Sequence, residues 1–163
     1  MTGRLGIDDV APVVACGRHP AKAVVGEVIP IAATVWREGH DAVAATVVWR
    51  GPGAGAAMQV AMAEGPEPDR FHALLRADVP GLWTFRVDAW SDPIATWRHA
   101  VNAKVGVGQS AAELANDLEI GAALLIDASR KVSRTGRDRV LHAAQALRSE
   151  ASVAERIAPA FSA

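Results

Sequence analysis

The stretch Leu82-Trp83-Thr84-Phe85-Arg86-Val87-Asp88-Ala89-Trp90-Ser91-Asp92-Pro93-Ile94-Ala95-Thr96-Trp97 contains the change of period that decides the fold. Up to Trp90 the pattern repeats every two residues. Trp83, Phe85, Val87 and Ala89 share one face, while Thr84, Arg86, Asp88 and Trp90 share the other, as in a strand with one buried side. Asp92 can cap a helix and Pro93 suits its first position. Ile94, Trp97, Val101 and Val105 then fall on one helical stripe. The seam at Asp92-Pro93 thus divides a strand-rich half from a helix-rich half.

Working back from the seam, short apolar runs alternate with Gly and Pro breaks. Val10–Cys16 and Ala21–Val25 read as two short strands. Val28–Arg37 alternates, with Ile29, Ile31, Ala33 and Val35 on one face. Glu38–Asp41 reads as a turn, Val43–Arg50 as a returning strand, and the pair as a hairpin. Gly51–Gly55 is a loop. Met58–Met62 is a weaker strand, and Arg70–Ala77 presents Phe71, Ala73 and Leu75 to one side. About seven short strands at this spacing predict an antiparallel Ig-like sandwich over residues 1–92. Working forward, Gly106 and Gly108 end the first helix. Ser110-Ala111-Ala112-Glu113 is a capping box opening a second, with Leu114, Leu118, Ala122 and Leu125 on one face. Val140, Leu141, Ala144 and Leu147 mark a third helix. Ser152-Val153-Ala154-Glu155 opens a short fourth that Pro159 is expected to disturb. The fold class is therefore mainly β plus α: a sandwich followed by a helical, bundle-like segment over residues 93–163.

The totals exclude several classes of function. Half of the 163 residues are hydrophobic and the net charge is −1, which argues against disorder and against a bulk field for nucleic acid or membrane. Cys16 is the sole cysteine, so no intrachain disulfide forms. No basic start precedes an apolar stretch, and no run is long enough to span a bilayer, so the expected location is cytoplasmic. Five scattered histidines and one cysteine give no metal-ligand spacing, and no cofactor motif is present. His19 lies three residues from Cys16, but Cys16 reads more simply as a small buried apolar residue than as a nucleophile. Arg130, Lys131, Arg134, Arg137 and Arg139 form a basic run without interleaved aromatics. It reads as a solvated inter-helix turn at a helix C-terminus rather than a nucleic-acid site. No catalytic residue is assigned. Trp49 and Trp83 fall on core faces and Trp97 on the helical stripe. Trp36 and Trp90 fall on outer faces and are the candidate surface residues: for domain or subunit contact first, ordinary packing second, sugar stacking third.

Three segments carry a family resemblance. Ile7-Asp8-Asp9-Val10-Ala11-Pro12-Val13-Val14, Cys16-Gly17-Arg18-His19-Pro20-Ala21-Lys22-Ala23-Val24-Val25-Gly26-Glu27 and Trp36–Ala45 resemble the amino-terminal region of bacterial α-1,4-glucan:maltose-1-phosphate maltosyltransferases. Ala89–Arg98 and the Gly108-Gln109 step match as well, and the resemblance weakens after about Lys131. It implies a parent enzyme of the α-amylase clan that transfers maltosyl from α-maltose 1-phosphate to an α-1,4-glucan. The reaction retains configuration and uses an aspartate nucleophile and a glutamate acid/base. Those residues would lie in a barrel outside this chain, so none is carried over. The resemblance also implies that residues 93–163 begin a helical insertion into the sandwich, that the closing strand follows it, and that both regions help build a homodimer. The resulting expectation is a non-catalytic assembly region. The alternatives are a stand-alone carbohydrate-binding sandwich, with Trp36 and Trp90 as platform, and an Ig-like protein-interaction module.

A sandwich without its closing strand exposes a sheet edge, and an incomplete bundle exposes apolar stripes. The isolated chain is therefore predicted to self-associate or to be marginally stable. Sedimentation velocity checks this, and a stable monomer at all concentrations contradicts it.

Overall fold

A computed structural model describes residues 4–53 and 55–162. The chain divides into two compact units, Met1–Asp92 and Pro93–Ala163. Among the described residues, seven strands form the first: β1 (Leu5–Ala11), β2 (Val28–Arg37), β3 (Val43–Arg50), β4 (Met58–Ala61), β5 (Ala63–Glu64), β6 (Arg70–Arg76) and β7 (Thr84–Ser91). They make two antiparallel sheets, ordered β1-β2-β6-β5 and β4-β3-β7. The inner faces meet in one core, in which Ile31, Ala33, Val35, Phe71, Ala73 and Leu75 of one sheet pack with Ala45, Val47 and Trp49 of the other. The period-two alternation places each of them, because successive side chains on a strand point to opposite faces.

Three features of the sandwich differ from the expectation. β2 and β3 are not a hairpin: β2 pairs with β1 and β6, and β3 with β4 and β7. Alternation fixes which face is inner but not which strand lies alongside. The five residues Glu38–Ala42 can span up to about 17 Å, enough to step between sheets about 10 Å apart. The chain changes sheets again at Met62, which is buried between β4 and β5. The first strand also starts earlier than expected and ends at Ala11. Residues 13–17 form a short turn closed by one bridge from Val14 to His19. The expected strand at Ala21–Val25 is absent. Gly26 takes a φ of +85° in a tight turn in which the Glu27 amide donates to the Val24 carbonyl at 3.0 Å, and this turn delivers the chain to β2.

The second unit contains α1 (Pro93–Gly106), α2 (Ala115–Ser129), α3 (Arg134–Leu147) and α4 (Val153–Ser162). Trp97, Val101, Leu114, Leu118, Ala122, Leu125, Ala144 and Leu147 are buried together, as their helical spacing requires. The first capping box sits one turn before its helix: Ser110–Glu113 closes a turn, and α2 begins at Ala115. Pro159 does not end α4, which continues to Ser162. The ring removes one amide donor, and the end of the helix is held by Arg98, whose Nε and Nη2 donate to the Ala160 carbonyl at 2.9 and 2.6 Å.

Three of the five tryptophans lie over glycines. The Trp36 ring covers Gly6, Trp83 covers Gly51, and Trp97 covers Gly121. Gly121 stands inside α2, where glycine costs roughly 1 kcal/mol relative to alanine. It is tolerated because a Cβ there would overlap the Trp97 ring. Gly136, in the first turn of α3, has no such neighbour: the nearest atom to an added Cβ is 3.6 Å away. Gly121 and Gly136 should therefore respond with opposite sign. Gly136→Ala is expected to stabilise by up to about 1 kcal/mol, and Gly121→Ala to destabilise by about 1–2 kcal/mol, since overpacking outweighs propensity. Urea unfolding of both variants checks the pair.

Candidate functional site

The candidate residues Trp36 and Trp90 occupy different sheets. Trp36 is on the outer face of β2, directly opposite Gly6 of β1. Its Nε1 donates to Asp8 Oδ2 at 2.6 Å. The missing side chain at Gly6 makes room for the ring and Asp8 holds its polar edge, so Trp36 packs flat along its own sheet and is half-buried. Trp90 lies on the outer face of β7, opposite Ala44 of β3, and is 46% exposed. The inward neighbours of the two show their relation. Arg37 and Ser91 both have inner-face parity, and Arg37 Nη1 donates to Ser91 Oγ. Trp36 and Trp90 therefore point away from each other, and they form no shared platform.

The other tryptophans are structural. Trp49 is buried and stacks on Trp83 with ring centroids 4.5 Å apart. Trp83 is half-buried at the end of the core, and its Nε1 donates to the Val79 carbonyl at 3.1 Å. Trp97 donates to the Asp117 carbonyl at 2.7 Å.

Around Trp90, the outer face of the β4-β3-β7 sheet is polar. Arg86 pairs with Asp88 at 2.8 Å, and the hydrogen bond and charge of Asp88 raise the Arg86 pKa further. Toward the other end of β7, Val48, Arg50, Thr84 and Arg86 border a shallow open hollow of about 300 Å³. It contains no nucleophile paired with a base. Cys16, expected to be buried, is exposed instead, because it sits in the short turn Ala15–Gly17 rather than on a core-facing strand. Asp88 is held by Arg86, and Glu38 accepts from the Arg4 amide. Among the described residues, no three His, Cys, Asp or Glu side chains gather where a metal could bind. Among the same residues, no helix is long and apolar enough to cross a membrane.

The basic run is split between elements. Arg130 and Lys131 follow the C-terminus of α2, where cations suit the helix dipole, and both contact Asp127. Arg134 and Arg137 instead occupy the first turn of α3, where the dipole opposes them. Arg137 turns back and donates to the Ser129 carbonyl of α2 at 3.0 Å. This removes an unpaired carbonyl and accounts for a cation in an otherwise unfavourable place. The whole run is thus not an inter-helix turn, because α3 starts within it.

Among the described residues, a two-sheet antiparallel sandwich joined in sequence to a unit of four helices defines a mixed β-plus-α class of protein. Comparison with known proteins gives the family. The family model described as "Alpha-1,4-glucan:maltose-1-phosphate maltosyltransferase, domain N/S" matches residues 3–163. The match continues well past Lys131, where the resemblance read from sequence weakens. An α-1,4-glucan:maltose-1-phosphate maltosyltransferase of Mycolicibacterium smegmatis is 52% identical over 99% of this chain and 27% of its own length. Proteins of the same name from Corynebacterium glutamicum and Mycobacterium tuberculosis are 51% and 48% identical, over 100% and 98% of this chain and 25% and 26% of theirs. The chain belongs to the α-1,4-glucan:maltose-1-phosphate maltosyltransferase family, and it spans about a quarter of the length of these relatives.

The titrating groups with shifted acidity are structural. Hydrogen bonds from the Ser110 hydroxyl, at 2.6 Å, and from its amide, at 2.8 Å, hold the Glu113 carboxyl below its ordinary value. Ser152 does the same to Glu155, and the Arg148 hydrogen bond lowers Glu119. A carboxyl lowered in the folded state stabilises above its unfolded pKa, and that contribution is lost as pH falls through the folded value. Between about pH 6 and about pH 3, the double variant Glu113→Gln/Glu155→Gln is therefore expected to lose less thermal stability than the parent. Equal losses in circular-dichroism melts would contradict the capping role.

Proposed function

We propose that this chain is the non-catalytic amino-terminal assembly region of a cytoplasmic maltosyltransferase that transfers maltosyl from α-maltose 1-phosphate to an α-1,4-glucan in glycogen or α-glucan synthesis. In this reading residues 1–92 are an Ig-like sandwich, residues 93–163 begin an inserted helical bundle, and the catalytic barrel is a separate part of a longer polypeptide. The chain's work is to pack on that barrel and to help form a homodimer. The observation that carries the reading is the ratio of coverage: nearly all of this chain matches only a quarter of each enzyme named above. The absence of a nucleophile–base pair around the hollow at Val48 and Arg86 fits the same division of labour. β7 is the edge of its sheet among the described residues, which leaves a row of backbone groups for a closing strand. The half-exposed Trp90 on that strand is assigned to the assembly contact, where tryptophan is enriched. Sugar stacking on a Trp36–Trp90 platform is disfavoured because the two rings face opposite ways.

Phosphate release from α-maltose 1-phosphate with a glucan acceptor tests the proposal. The extended protein, translated through the downstream reading frame, is expected to release phosphate, and the 163-residue chain to release none. Activity in this chain by itself would refute the non-catalytic role. Inactivity of both would refute the parent activity.

A further inference from the structure

One end of the sandwich exposes several large aliphatic side chains on its loops, flanked by the exposed charges of Glu27, Arg50, Arg76 and Asp78. β2 begins there, β3 and β6 end there, and β4 and β7 begin there, as the antiparallel registers require. The loops at this end touch. The Gly26 amide donates to the Ala77 carbonyl at 2.8 Å, Trp83 lies over Gly51 and bonds the Val79 carbonyl, and Gly81 packs on Pro52. The opposite end, where Ser91 leads into Asp92, is polar, with Arg37 bonded to Ser91 and to Asp41 and Glu38 bonded to the Arg4 amide. At the first end Val24, Val25, Val28, Met58, Val79 and Leu82 are all exposed, Val24 at 74% and Leu82 at 68%. Several large aliphatic groups clustered on touching loops form a patch rather than the scattered single residues of an ordinary surface. Loops carried on a rigid sandwich are common binding elements.

We infer that this loop end, remote from the seam, is the surface on which the rest of the same polypeptide docks. The inference rests on the proposed function and deepens it by naming the contact. The size of the patch selects the occupant. A stable interface between separate chains takes roughly 20–30 residues on each side, and this patch offers six large apolar side chains. A tethered segment acts at an effective concentration on the order of millimolar, so a small apolar contact suffices within one polypeptide. The relatives are about four times as long as this chain, which leaves ample chain to supply it. The docking element is expected to be apolar where it meets Val24 and Leu82.

Thiol labelling tests this in the extended protein. Cys16→Ser removes the native thiol, and Val24→Cys places a reporter where the side chain points into solvent, so folding is preserved. In the 163-residue chain the reporter is expected to react with a maleimide at the rate of an exposed thiol. In the extended protein it is expected to react at least tenfold more slowly, with the same protection over a hundredfold dilution. Protection lost on dilution would assign the surface to a second copy and overturn the inference, as would free labelling at every concentration. Phosphate release by the same extended variant separates the two levels. An active enzyme with a freely labelled reporter sinks only the docking surface, whereas an inactive one with a freely labelled reporter sinks the functional reading too.

Discussion

Each half of this protein depends on an indole laid against a backbone that has no side chain to resist it. In the helical unit Trp97 reaches from α1 onto Gly121 of α2, donates its ring N–H to Asp117, and meets Phe161 of α4 with centroids 6.0 Å apart. One residue therefore joins three helices. The glycine is unfavourable for α2 by itself, and it persists because close approach lets the ring bury completely and satisfy its one polar group. The sandwich repeats the device with Trp36 over Gly6 and Trp83 over Gly51. In both units the contact fixes how near two elements lie, and the aliphatic core then fills to that spacing.

Charged side chains finish what the indoles begin. Arg98, Arg137 and Arg156 each donate to a carbonyl at or near a helix C-terminus, at Ala160, Ser129 and Leu147. Lys104 joins α1 to α2 through Asp117 at 2.7 Å, and Arg148 joins α3 to α2 through Glu119. Exposed pairs of this sort contribute little each. The ion pairs serve to orient the helices, while the three arginine–carbonyl bonds satisfy helix-end acceptors that would otherwise need water. These arginines thus serve to hold helix ends in place.

The inner faces were legible in the sequence because alternation and helical spacing report directly on burial: Ile31, Val35, Phe71 and Leu75, and Leu118 and Leu125, all occupy the positions their period demands. Strand partnership was not legible. Val28–Arg37 and Val43–Arg50 have the pattern of a hairpin and belong to different sheets, because facing inner surfaces of a sandwich alternate in the same way as paired strands. The segment from Pro12 to Glu27 misled for another reason. Its valines suggest strands, yet it carries an isolated bridge, Val14 to His19, in place of a ladder, and its turns are set by Gly17 and Gly26 at positive φ. Trp36 read as an outward ring because its partners, Gly6 and Asp8, lie about thirty residues away in sequence. The candidate site was half legible: Trp90 faces solvent as its parity requires, while the covering of Trp36 depends on a cross-strand glycine that no local pattern announces.

The central physical claim is that the indole of Trp97 is sealed between α1 and α2 by its fit to Gly121. Hydrogen exchange of the tryptophan indole N–H groups, resolved by heteronuclear NMR, measures this directly. The account predicts that the Trp97 ring N–H exchanges only when the helical unit unfolds, while that of the half-exposed Trp90 exchanges orders of magnitude faster. Exchange at Trp97 as fast as at Trp90 would contradict it, and with it the packing on which the helical unit is built.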